Sequence, residues 1–107
     1  MAWHGDISSD RDLRHAVRAT SHAGDLLLLL LNIRQAAMGF NFVSQLRRFA
    51  LEHHLLLAPT RGDCDGLSSL WQALGSRPSA CSWVEQLMAH PGWPQYNVNA
   101  SSDVLAL

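Results

Sequence analysis

Gly24-Asp25-Leu26-Leu27-Leu28-Leu29-Leu30-Leu31-Asn32-Ile33 can form either a helix or a strand, and the fold class turns on which. It sets an unbroken run of leucines between a glycine and a polar patch. Leucine favours helices. Length argues the other way, because a short apolar run bounded by turn signals suits a strand buried on both faces. We read Asp25 to Ile33 as a central strand of the parallel type. The run is too short to cross a bilayer, which takes about 20 apolar residues.

Working outward, Ser9-Asp10-Arg11-Asp12 has the form of a capping box with Asp in place of Glu. Leu13, Ala16 and Val17 follow at helical spacing, so Asp10 to about His22 reads as a short amphipathic helix stopped by Gly24. Downstream, Phe40, Val43, Leu46 and Ala50 define one face of a helix over Ala36 to Leu51. Gln45, Arg47 and Arg48 lie off that face and read as solvated. His54-Leu55-Leu56-Leu57-Ala58 reads as a second strand ended by Pro59. Cys64 to Leu74 then carries Leu67, Leu70, Trp71 and Leu74 as a helix face, closed by Gly75. Strand, helix, strand, helix is the order of an α/β sheet with right-handed crossovers.

Beyond Gly75, Ser76 to Ala80 reads as a loop and Cys81 to Ala89 as a helix with Val84, Leu87 and Met88 inward. His90-Pro91-Gly92-Trp93-Pro94 is a hard break. Gln95 to Leu107 alternates loosely and ends on an apolar run, as a chain cut in mid-segment would.

With 107 residues, 48% apolar and 16% charged, the chain can form one small domain with a core and is too apolar for a disordered tail. A net charge of −1 lacks the electrostatic footprint of a nucleic-acid binder. All 8 basic residues are Arg, which reads as coding bias. Cys64 and Cys81 cannot build the disulfide framework of a small secreted scaffold. Two buried free thiols are expected, with a single bridge left open. The opening Met1 to Asp10 has neither the basic nor the apolar region of a signal peptide.

Candidate chemistry is sparse. Asp63-Cys64-Asp65 has the Asp-x-Asp shape that can share a hard divalent cation with phosphate oxygens. It also precedes an apolar helix, where capping is the expected role. His53 and His54 are adjacent, so on a strand they point to opposite faces and cannot chelate together. His4, His15, His22 and His90 are scattered, and neither cysteine has a partner at zinc-site spacing. A hydrolase elbow and a phosphate-cradling glycine loop are both missing. Trp71 and Trp83 lie on apolar faces and read as core. Asn32 stands where the first strand ends, at the carboxyl edge where ligands of open α/β sheets gather. A polar residue there can equally terminate the strand and bond the turn.

Asn32 closing the first strand, Asn41-Phe42-Val43 in the next helix, Leu46-Arg47-Arg48-Phe49 after it and Leu55-Leu56-Leu57 in the second strand form a pattern. It resembles the opening of the nucleotide-diphospho-sugar transferase family, which includes plant and green-algal arabinosyl-, xylosyl- and galactosyltransferase-like proteins. Phe42 replaces the family's usual Trp, and Ala50 stands where the family often turns on Gly. The resemblance covers about residues 9 to 75, with a fainter echo at residues 90 to 98. It implies a partial GT-A or Rossmann-like α/β sheet, with parallel strands and flanking helices, in one incomplete domain over residues 1 to 107.

The resemblance further implies glycosyl transfer from a nucleotide sugar, with Mn²⁺, by a full-length relative in the Golgi lumen. Asn32 is the one residue it carries over, as a contact at the nucleotide edge. The family's decisive Asp-x-Asp lies downstream of this region, so Asp63 and Asp65 receive no metal role. No catalytic residue, metal ligand or cofactor is assigned to the chain itself, which is expected to be inactive in isolation. The alternative is a small non-catalytic α/β interaction module that binds a partner chain at an exposed sheet edge. Neither a nucleic-acid partner nor a membrane span is expected. Asn99-Ala100-Ser101 is an N-glycosylation triplet, expected to stay unmodified because no leader or anchor is visible.

Overall fold

The computed structural model describes residues 2–84 of the chain, which form four short strands and three α-helices. The strands are β1 (His4–Asp6), β2 (Leu27–Leu30), β3 (His54–Leu57) and β4 (Ala80–Trp83). They form one parallel sheet in the order β1-β4-β3-β2. Helices α1 (Asp10–Thr20), α2 (Ala36–Arg48) and α3 (Arg61–Ala73) connect them. The fold is α/β, as the alternation of elements implies.

The order of strands decides which helix lies where. From β2 to β3 to β4 the chain steps one way across the sheet, whereas β1 to β2 crosses its full width in reverse. Right-handed crossovers therefore put α2 and α3 on one face and α1 on the other. The two cores agree. Leu56, Cys81 and Trp83 pack with Val43, Leu67 and Trp71 under α2 and α3. Leu55 and Ala80 pack with Ala16 under α1, with Trp3, Ile7 and Leu26 at the margin. Each fully buried Leu or Val contributes about 1.5–3 kcal/mol relative to exposure, so the α2/α3 side carries most of the apolar stabilisation.

Local chemistry sets the helix ends. The Ser9 hydroxyl accepts from the Asp12 amide and opens α1, with Asp10 and Asp12 in the first turn and Arg18 in the last, as the helix dipole favours. Thr60 opens α3 in the same way, its hydroxyl accepting from the Asp63 amide. Gly75 closes α3 at a φ of +77°, a left-handed value that an L side chain rarely adopts. Gly39 meets a different need. A Cβ there would meet Leu31 Cδ2 and lie 2.8 Å from Leu31 Cδ1, so only glycine lets α2 settle on that buried leucine.

Several expectations are corrected. The leucine run is not a central strand, because β2 lies at an edge with Leu30 72% exposed. A run of apolar residues specifies burial without specifying neighbours, and the long β1-to-β2 connection leaves the centre to β3 and β4. Residues expected as a loop and a helix start instead form β4, buried throughout. Ala80, Cys81 and Ser82 are small and carry no strand propensity; they fit because both faces of β4 are covered. β1 arises from a segment with no apolar alternation, held by the Cys81 amide donating to the Trp3 carbonyl and by Trp3 Nε1 donating to Ser82 Oγ. Cys64 and Cys81 are not free thiols but a disulfide that ties α3 to β4, with Cα atoms 5.8 Å apart.

Arg47 is also not solvated. Its side chain is 15% exposed and reaches Glu52, Ser76 Oγ and the carbonyls of Arg77 and Pro78, fixing the loop that leads into β4. The expected helix beyond Val84, the break at residues 90 to 94, His90, the tail and the Asn99 triplet lie outside the described residues.

Candidate functional site

At the carboxyl edge of the sheet the residues singled out from sequence are occupied with one another. Asn32 Oδ1 accepts from the Gln35 amide while Gln35 Oε1 accepts from the Asn32 amide, a reciprocal capping box on the 3-10 turn Ile33–Gln35. Asp63 Oδ2 accepts from the Thr60 hydroxyl, and its Oδ1 accepts from the Ile33 amide, tying the start of α3 to the end of β2. Asp65 points elsewhere, to His4 Nε2 at 2.8 Å and to Arg61. The two carboxylates therefore do not converge. Among the described residues no three His, Cys, Asp or Glu side chains are grouped to hold a metal ion, so this donor set does not fit Mn²⁺.

At the opposite, amino edge a cavity of about 850 Å³ opens between the start of β4, the end of α1 and one polar face of α3. Its wall includes His54, Ser79, Arg47, Ser68, Gln72 and Thr20. His54 is buried and doubly bonded, with Nδ1 3.2 Å from the Leu51 carbonyl and Nε2 3.0 Å from Ser79 Oγ. A carbonyl only accepts, so Nδ1 carries the hydrogen and Nε2 takes the Ser79 hydroxyl proton as acceptor. Trp71 Nε1 donates to the same Ser79 oxygen at 3.1 Å. Burial lowers the His54 pKa below its ordinary value of 6.5 and keeps the ring neutral; the Arg47 charge and His53 act in the same direction. The Leu51 carbonyl and Glu52 oppose the shift. His53 lies apart from this network, its ring 5.7 Å from that of His22, so the adjacent histidines do separate.

The third feature is the outer edge of β2. Leu27 and Leu31 amides donate to the His53 and Leu57 carbonyls. By the two-residue alternation of a parallel ladder, the N–H and C=O groups of Leu28 and Leu30 point to the open side. Their side chains lie on the α1 face, where α1 does not reach β2. Leu13 and Val17 of α1 are exposed apolar residues too. Among the described residues no charge within the strand, no proline and no bulge guards this edge, the usual defences of an open strand.

Sequence reading found Asn32, Asp63 and the leucine run, and missed Ser79 and Arg47. Nothing local marks either residue: Ser79 meets His54 only because β3 and β4 are neighbours. No helix among the described residues is long and apolar enough to cross a membrane. No protein-family model, curated protein or solved structure matches this chain.

Proposed function

We propose that the chain is an interaction module that extends its sheet by pairing β2 with β2 of a second copy. The observation that carries this reading is the double exposure of Leu28 and Leu30, whose side chains and backbone groups both face outward at an unguarded edge. A two-fold axis at the edge pairs the strands antiparallel and makes the leucine strip self-complementary. Light-scattering mass across micromolar concentrations tests the proposal. The wild type is expected to shift from monomer to dimer, and Leu30→Lys to stay monomeric with a melting temperature equal to that of dilute, monomeric wild type. A wild type that stays monomeric throughout overturns it.

A second reading, a nucleotide-sugar transferase-like unit, is favoured by one observation. Ala50 has a φ of +59° at the position where the resembled pattern turns on Gly. In this reading a nucleoside diphosphate sugar docks at the carboxyl edge beside Asn32, through backbone groups rather than a bound metal. Titrating such a sugar against amide NMR spectra should shift Asn32 and Gln35. Unmoved resonances at millimolar ligand would remove this reading.

A further inference from the structure

We propose that Ser79 is a nucleophile activated by His54, and that the amino-edge cavity takes short-chain carboxylic esters. Three groups stand in the order such chemistry needs: a hydroxyl on an imidazole nitrogen, and that imidazole oriented by a third group through its other nitrogen. Ser79 Oγ to His54 Nε2 is 3.0 Å, and His54 Nδ1 to the Leu51 carbonyl is 3.2 Å. Because Nδ1 carries the hydrogen, Nε2 has a free lone pair towards the hydroxyl, and burial keeps it unprotonated at neutral pH. One Ser79 lone pair accepts from Trp71 Nε1, which holds the rotamer; the other is left for an electrophile.

The step balances within the site. Ser79 Oγ attacks the ester carbonyl carbon as its proton passes to His54 Nε2, forming a tetrahedral oxyanion. The C–O bond to the alcohol breaks and the leaving oxygen takes the proton back from His54. Water then attacks the acyl-serine, gives its proton to His54, and the acid leaves as Ser79 regains that proton. Arg47, held by Ser76 Oγ, the Arg77 carbonyl and the Glu52 carboxylate, lines the same cavity wall and is the cationic group offered to an oxyanion there, its charge shared with Glu52.

The wall also selects. Thr20 Oγ1 is buried there with no hydrogen-bond partner among the described residues, so a bound carbonyl or hydroxyl would supply one. Ser68 and Gln72 add polar groups, which suit a short acyl group on a hydroxylated alcohol and disfavour a long alkyl chain.

The test uses the full chain with a fluorophosphonate probe and with 4-nitrophenyl acetate. One adduct is expected, mapping to Ser79 and lost when the chain is unfolded in urea. Hydrolysis of 4-nitrophenyl acetate should run about 10²-fold above the buffer rate, the scale of general-base assistance, and fall to the buffer rate in Ser79→Ala and His54→Gln. Ser69→Ala, at an exposed position of α3 given no part in binding or catalysis, should keep both activities. Adduct mapping on the wild type needs no variant, so a folding defect in Ser79→Ala does not blunt it. No adduct, an adduct on another serine, or equal hydrolysis by wild type and both variants overturns the assignment.

Discussion

Leu28 of β2 and Leu55 of β3 are register partners on the same face of the sheet, yet Leu28 is 52% exposed and Leu55 only 1%. One strand spacing separates a core residue from a surface residue of identical chemistry. The cause is α1, which crosses back over β1, β4 and β3 and stops short of β2. Truncation should therefore give unequal costs. Leu55→Ala is expected to lose about 2–5 kcal/mol, the range for a buried leucine, and Leu28→Ala no more than about 1 kcal/mol. Urea denaturation of the two variants at dilute, monomeric concentration checks this.

Reducing the Cys64–Cys81 bridge should destabilise the fold. The bond closes a loop of sequence separation 17 and links α3 to β4 within the core. Loop-closure entropy for a ring of that size corresponds to about 3 kcal/mol. Melting with and without reductant should show that loss in the wild type, and none in a Cys64→Ala/Cys81→Ala double variant. Intramolecular bonds of this kind persist in oxidising compartments, so the bridge also bears on where the chain can work.

Ala50 is the place where substitution should help. Its φ of +59° lies in the left-handed region just after α2, which costs an L residue about 1 kcal/mol and glycine little. Ala50→Gly is expected to raise stability by roughly 0.5–1 kcal/mol, read as a higher denaturant midpoint at unchanged slope. A lower midpoint would mean that glycine's greater unfolded-state freedom outweighs the relief.

His54 gives the fold an acid-side pH dependence. Burial, the largest cause, lowers its pKa in the folded chain below the 6.5 of the unfolded one. Just below pH 6.5 the unfolded state therefore binds a proton that the folded state refuses, so stability rises with pH in that window. The His54 contribution is complete above about pH 6.5 and is lost as pH falls towards the folded pKa. Stability measured from pH 8 to pH 5 should decline on the acid side, and His54→Gln should decline less steeply. Parallel curves would contradict the assignment.

How much of this was legible in the sequence differs from residue to residue. Ser9, Val43, Leu67 and Trp71 declared their helices because capping and periodicity are local signals, and the α/β class follows from the order of elements. The position of β2 was not legible. Leu26 to Leu31 tells how apolar a strand is, while its neighbour is chosen by crossovers elsewhere in the chain. β4 was hidden for the converse reason: Ala80-Cys81-Ser82 is a strand only because two faces press on it. At the sites, Asn32 ends the first strand and Asp63 lies in the first turn of α3, as their local signals implied, and both side chains are bonded into helical turns. Ser79 carried no signal, since its partner His54 is 25 residues away and meets it only across the sheet.

Amide hydrogen exchange at Leu28 and Leu30 reads the strand pairing itself, because these two N–H groups point away from β3, have no strand beside them among the described residues, and gain a partner when a second β2 docks. Exchange should be fast at both positions in dilute wild-type protein and slow markedly at concentrations where light scattering reports a dimer. In Leu30→Lys the Leu28 amide should stay fast throughout. Amides that exchange equally fast in monomer and dimer would show that the copies associate through another surface, and would contradict the assignment of β2 as the interacting edge.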